Sequence, residues 1–334
     1  MWSPPTHTKR LAISNSPSSH EIKLNEISEI PAYFVALRAV HFAGCLLAFG
    51  VCAFDRFIVN SARGKEWDVI ARRFMLIALP LALLSGIAWF AAVAIQMSGQ
   101  PLSMDLIRIV WSQTQFGTVW KTRSILWIIT CLTASAFFLR DQSKLRSTMK
   151  WLALIFTGLF AMSLAWSGHG QTGRSPRFHL FADILHLLAA GLWPTTLLPL
   201  ALLLQKMRKA SDENHWQHIA ELVRRFSLMS VIAVAMLLAT GIINSFFLID
   251  HFSQLFFTTY GRVLLLKIIL FALMAAIGGI NLLILKPRLT APQDKLQLPR
   301  DASQLQLNIW VEVLLGAAVL VIVAILGLLP PALG

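Results

Sequence analysis

Apolar residues fall along this chain in eight long runs, near 31–55, 72–97, 119–139, 149–168, 179–205, 223–249, 260–285 and 307–329. Each approaches or exceeds the ~20 residues that a helix needs to cross a bilayer core. The runs are continuously apolar and lack the period-two alternation of a lipid-facing barrel, so helices must satisfy the backbone. The pattern predicts an all-α fold, a polytopic membrane bundle of eight transmembrane helices. Between the second and third runs, "PLSMDLIRIVWSQ" (101–113) is too short and too polar to span, and reads as an amphipathic helix lying on the membrane surface. Residues 1–30 are polar, with Pro, Ser and mixed charges but no apolar core of signal-peptide length, and read as a loose tail before a membrane domain over 31–334.

Composition agrees with this pattern: 56% of the 334 residues are hydrophobic and only 13% charged. In a soluble chain the net charge of +13 would suggest nucleic acid, but here the cations follow the loops. The connections after runs one, three, five and seven hold Arg56, Arg63, Lys65, Arg72 and Arg73; Arg140, Lys144, Arg146 and Lys150; Lys206, Arg208, Lys209, Arg224 and Arg225; and Lys286, Arg288, Lys295 and Arg300. The other side holds about half as many, among them Lys121, Arg123, Arg174 and Arg177. The positive-inside tendency therefore places both termini on the outer side of the membrane, periplasmic in a bacterial inner membrane, and no nucleic-acid partner is expected.

The two halves of the chain match. "TQFGTVWKTR" (114–123) aligns with "TTYGRVLLLK" (258–267), and "LLSGI" (83–87) with "LATGI" (238–242). Arg38 precedes His41 by three residues, as Asp183 precedes His186. Four crossings return a chain to its starting side, so the matches predict two parallel four-helix repeats, about 31–168 and 179–329. His41 and His186 become symmetry mates at similar depth, and Arg38 and Asp183 are expected to approach each other across the repeat axis.

Ionisable side chains inside hydrocarbon face protein or a cavity, and mark a pathway or a cofactor. His179, Asp183 and His186 project from one helix face. His169 sits across the short loop "GQTGRSP" from His179. With His41 these supply up to four imidazoles, ligands that suit copper, zinc, nickel or iron. His41, Cys45 and Cys52 form a second stripe, within roughly 40° on one face and descending about 16 Å. Thiolates beside imidazole favour Cu(I), although buried cysteines also serve as small packing residues. The candidate metal ligands are thus His41, His169, His179, His186, Asp183, Cys45 and Cys52, with His169 and His179 as an outer capture site and His41 and His186 as an inner one. Thr240, Asn244, Lys267 and Glu312 read as interhelical hydrogen-bonding groups, with outward snorkelling the alternative for Lys267. No phosphate loop, H-E-x-x-H or nucleophile elbow is present, and the chain is not read as an enzyme.

The chain resembles the copper-resistance D family of bacterial inner-membrane proteins. The residues carrying the resemblance are "ALRAVHFAG", "SLAWSGHG", "HLFADILHLLAAGLW", "ATGIIN" and "YGRVLLLK", in order from about residue 31 onward. Where that family continues past the tryptophan of span five with paired glycines, this chain reads Trp193-Pro194-Thr195-Thr196, which predicts a kink there. The resemblance implies movement of copper ions from periplasm to cytoplasm across the cell inner membrane, alongside a small periplasmic copper-binding partner. Two rival readings fit the same residues: a b-type haem electron-transfer protein with paired histidine ligands, and a factor that delivers copper to a respiratory enzyme.

Overall fold

The computed structural model describes residues 30–59, 65–139, 144–167, 176–207, 213–249, 251–290 and 295–331. The tail ending at residue 29, His169 and the loop 168–175 lie outside the described residues. Among those described there is no strand, as the apolar pattern requires.

Helix α1 (Ala32–Ala53) starts after Pro31 and continues as a π-helical stretch, Phe54–Val59. Helix α2 (Lys65–Ser98) follows and ends at Gly99, whose φ of 65° is a left-handed conformation that glycine adopts readily. The surface segment forms α3 (Met104–Gln113), capped by Ser103, whose hydroxyl accepts from Leu106 N at 3.2 Å. Next come α4 (Gln115–Ala134), α5 (Lys144–Met162), α6 (Pro176–Leu192) and α7 (Pro194–Met207). The break between α6 and α7 falls at Trp193, where the Trp-Pro step predicts a kink. The remaining elements are α8 (Glu213–Leu248), the single turn α9 (Gln254–Phe257), α10 (Thr259–Ile280), a π-helical stretch Asn281–Leu285, α11 (Lys286–Thr290) and α12 (Leu298–Leu326).

Among the described residues, seven helical segments are long and apolar enough to cross a membrane: Ala32–Val59, Glu66–Ser98, Lys144–Trp166, Arg177–Met207, Trp216–Leu248, Thr259–Thr290 and Leu298–Leu326. The predicted third span corresponds to α4, a helix of 20 residues that is not among the seven. Its first half carries Lys121, Thr122, Arg123 and Ser124, which lower its mean hydropathy.

Helix α1 is central, packing on α2, α5, α6, α7 and α12. Lipid gives little hydrophobic drive between helices, so small residues and internal polar contacts must hold them. Gly44 lets α1 approach α2 closely, since a Cβ there would lie 2.9 Å from Ala82 N. At the far end of α1 the buried Arg38 donates to Gly327 O at 3.2 Å, tying α1 to the end of α12.

Two turns are built alike. Thr114 (φ −111°, ψ 153°) and Thr258 (φ −106°, ψ 154°) each accept from the glycine N–H three residues on, at 2.9 and 3.0 Å. A Cβ on Gly117 would collide with Val110 O, and one on Gly261 with Gln254 O. The Thr-x-x-Gly shared by the two aligned segments thus has a physical reason: a cap, and then a residue thin enough to pass the preceding helix.

Candidate functional site

His41 lies one turn inward from Arg38 on α1 and is 1% exposed. Its Nδ1–H donates to Ala82 O at 2.9 Å, with the Ser85 hydroxyl 3.4 Å away. That fixes the tautomer and leaves Nε2 as an acceptor, which Arg123 Nη2 occupies at 2.6 Å. Cys45, a turn further along α1 and fully buried, places Sγ 3.8 Å from His41 Nε2 and 3.6 Å from Arg123 Nη2. One guanidinium nitrogen therefore caps the imidazole lone pair and sits beside the thiol. Arg123 Nη1 donates to Ser163 Oγ at 2.5 Å, and the guanidinium lies over the rings of Trp120 and Phe160. Trp89 and Trp120 flank the imidazole, their ring centroids both 5.5 Å from it. No carboxylate pairs with Arg123 within 4.0 Å among the described residues.

Counting cations by loop places Arg123 on the outer surface, yet it is 1% exposed in the middle of the first-half helices. It is the central residue that sequence reasoning missed. A signal existed: Arg123 is the terminal cation of the aligned segment, opposite Lys267.

The α1 stripe continues past the histidine. Cys52 is fully buried beside Thr157, within electrostatic range of Asp55 and Lys150. Asp55 and Lys150, each 1% exposed, pair at 2.8 Å, and Trp67 Nε1 donates to the same carboxylate oxygen at 2.8 Å. Arg146 pairs with Asp68 at 3.0 Å, with Lys150 Nζ 4.0 Å from Asp68. Arg146 and Lys150, counted as loop cations, are thus buried in an ion-pair network that shares no short-range sequence motif.

In the second half, His186 on α6 meets Thr240 on α8, Nδ1 to Oγ1, at 2.9 Å. Thr240 donates its own hydroxyl proton to Met236 O at 2.6 Å, so the imidazole must be the donor between them. His186 therefore carries its proton on Nδ1 and keeps the lone pair on Nε2, as His41 does. Gly86 and Gly241 lie against the two rings, a Cβ on them falling 3.0 and 3.7 Å from Cε1 of His41 and His186. Asp183 feels the charges of Lys267 and Arg38, but no ion pair forms with either within 4.0 Å. His179 is buried and stacks on Phe247, centroids 4.9 Å apart.

The structure brings His41, Cys45 and Arg123 together, and Arg38 near Asp183. No hydrogen bond or ring contact joins His41 to His186. Among the described residues no group of three or more His, Cys, Asp and Glu side chains is poised to hold a metal.

Two family models match in succession, "Copper resistance protein D-like, N-terminal domain" over residues 28–176 and "Copper resistance protein D" over residues 220–326. The chain belongs to the copper-resistance D family. The first region carries His41, Cys45, Cys52 and Arg123, and the second carries Thr240, Lys267 and Glu312. His179, Asp183 and His186 lie between them. Relatives of the copper-resistance D chain described here run nearly its full length. It is 27% identical over 306 residues to Copper resistance protein D of Pseudomonas syringae pv. tomato, covering 89% of this chain and 96% of that one. It is 29% identical over 306 residues to Inner membrane protein YebZ of Escherichia coli, covering 89% and 98%. Similarity to Copper transport protein CutJ of Bacillus subtilis is 28% over 302 residues, 88% of this chain and 52% of that protein. No solved structure matches.

Proposed function

We propose that this copper-resistance D protein, a multi-pass protein of the inner membrane, carries copper ions inward from the periplasm, and that His41 and Cys45 form its first intramembrane ligand pair. The observation that carries the reading is the position of the Arg123 guanidinium. One of its nitrogens caps Nε2 of His41 and lies beside Sγ of Cys45, where a cation bridging the pair would sit. The ligand atoms are 3.8 Å apart, a span that two bonds of ~2.0 and ~2.3 Å can bridge. Imidazole with thiolate suits a soft monovalent ion. Cys52 extends the route along the same helix face toward Asp55. His186, with Nε2 unprotonated, is the corresponding ligand of the second half, and His179, seven residues before it on α6, is an outer ligand. A small periplasmic copper-binding protein is the proposed donor.

The same reading makes α4 the eighth span and the two halves parallel repeats with periplasmic termini. The paired Thr-Gly turns and the shared tautomer of His41 and His186 support it. A reporter fused after Gly334 tests the topology: alkaline phosphatase is expected to be active there, and inactivity beside an active cytoplasmic reporter overturns it.

The ligand assignment is tested by copper uptake. His41→Ala and Cys45→Ala, inserted at wild-type level, are expected to abolish protein-dependent copper accumulation and to weaken Cu(I) binding by purified protein at least about tenfold. His215→Ala is expected to behave as wild type. Wild-type binding and accumulation by His41→Ala would show that the pair is a packing feature.

A further inference from the structure

A second polar feature lies away from the histidines. Between α7, α8, α10 and α12 there is a cavity of about 340 Å³, walled mainly by apolar groups such as Trp193, Leu197 and Phe226. Val231 of α8, itself 47% exposed, and Gly279 of α10 also line it. Helices α8 and α10 hardly touch each other beside the cavity.

Glu312, 1% exposed, is set in this wall. Its Oε1 accepts from Asn281 Nδ2 at 2.7 Å, Asn281 Oδ1 accepts from Asn308 Nδ2 at 2.7 Å, and Asn308 Oδ1 accepts from Gln304 Nε2 at 2.9 Å. The amide chain thus runs toward Glu312, whose Oε1 is the final acceptor. No cation lies within 4.0 Å of it among the described residues. A carboxyl group in an apolar, membrane-depth site without a counter-charge ionises only at a cost, which a cation entering the cavity would offset.

We propose that this cavity binds a hydrophobic monovalent cation of the alkylammonium class, which enters from the bilayer between α8 and α10 and pairs with Glu312. Charge complementarity sets the sign of the ligand, and the apolar wall sets its body. A bare metal ion is a poor fit, since one carboxyl, one amide and the hydroxyls of Ser227 and Ser230, which are bonded to their own helix backbone, cannot replace its oxygen shell. The site shares no residue with the His41 and Cys45 pair, so it stands or falls apart from the copper reading.

Tetrapropylammonium chloride, titrated calorimetrically into the full chain in lipid nanodiscs, is the probe. Saturable one-to-one binding is expected. Glu312→Gln keeps an oxygen for the Asn281 donor and is expected to weaken binding at least about tenfold, because it removes the charge from a desolvated pair. Gly279→Leu narrows the opening without touching the charge, and a Cβ there meets no atom within 4 Å. It is expected to weaken binding by a similar factor with Cu(I) affinity unchanged. Absence of saturable binding by the wild type overturns the proposal. So does equal affinity in Glu312→Gln, which would leave an acyl chain as the occupant. Wild-type affinity in Gly279→Leu overturns it too, and if Glu312→Gln fails to fold, Gly279→Leu decides alone.

Discussion

Arg123→Gln is expected to bind Cu(I) at least about tenfold more tightly than the wild type, measured by competition with a Cu(I) chelator in detergent. The reason is electrostatic. In the wild type an ion approaching His41 Nε2 must displace a guanidinium nitrogen 2.6 Å from that atom. Two unit charges ~4 Å apart repel by about 4 kcal/mol at an effective dielectric of ~20, and even partial withdrawal of the arginine leaves more than the 1.4 kcal/mol that a tenfold change represents. Glutamine keeps an N–H donor for the imidazole and removes the charge, so the site is emptied of its tethered cation with little loss of packing. Tighter binding should come with slower release, so copper accumulation in cells should fall while affinity rises. A structural role alone would weaken binding and transport together. Unchanged or weaker Cu(I) binding by folded Arg123→Gln protein would show that the guanidinium does not compete with the ion.

What the sequence made legible follows from which forces act locally. The apolar runs announce helices because lipid leaves the backbone no other partner, and the Ser103 cap and the break at Trp193-Pro194 are decided by neighbouring residues alone. The stripe His41, Cys45, Cys52 is legible because helical spacing fixes a shared face. What faces that stripe is not. Arg123 is 82 residues from His41 along the chain, and Lys150 is 95 from Asp55. A cation in a polar segment reads as a loop residue until folding buries it. The same limit explains α4, whose cations lower its mean hydropathy because one of them, Arg123, serves the interior. His41 and His186 were matched by spacing, and each does meet the hydroxyl of the aligned Ser85 or Thr240. Spacing gives equivalent places, however, and two equivalent places need not face each other.

Lys150→Met is expected to lower the unfolding free energy by about 3–5 kcal/mol, the range for breaking a buried pair from one side. The carboxylate of Asp55 would be left 1% exposed with only Trp67 Nε1 as a donor, and its second oxygen, Oδ2, already has no hydrogen-bond partner. The nearest remaining cation in the network, Arg146, is bound to Asp68 at 3.0 Å. Asp55→Asn with Lys150→Met should recover most of the loss, since asparagine still accepts from Trp67 and neither residue then carries a charge. The double-mutant cycle is therefore expected to be strongly non-additive, well beyond the ~0.5 kcal/mol scatter of independent sites. Unfolding in mixed micelles reads all three variants. If Lys150→Met stays within about 0.5 kcal/mol of the wild type, or if the two changes simply add, the pair does not hold α1 to α5. The distinction bears on the α1 stripe because Asp55 closes it. A pair that locks α1 to α5 at this end, while Arg38 ties its other end to α12, leaves the side chains around His41 rather than the helix itself to move when an ion arrives.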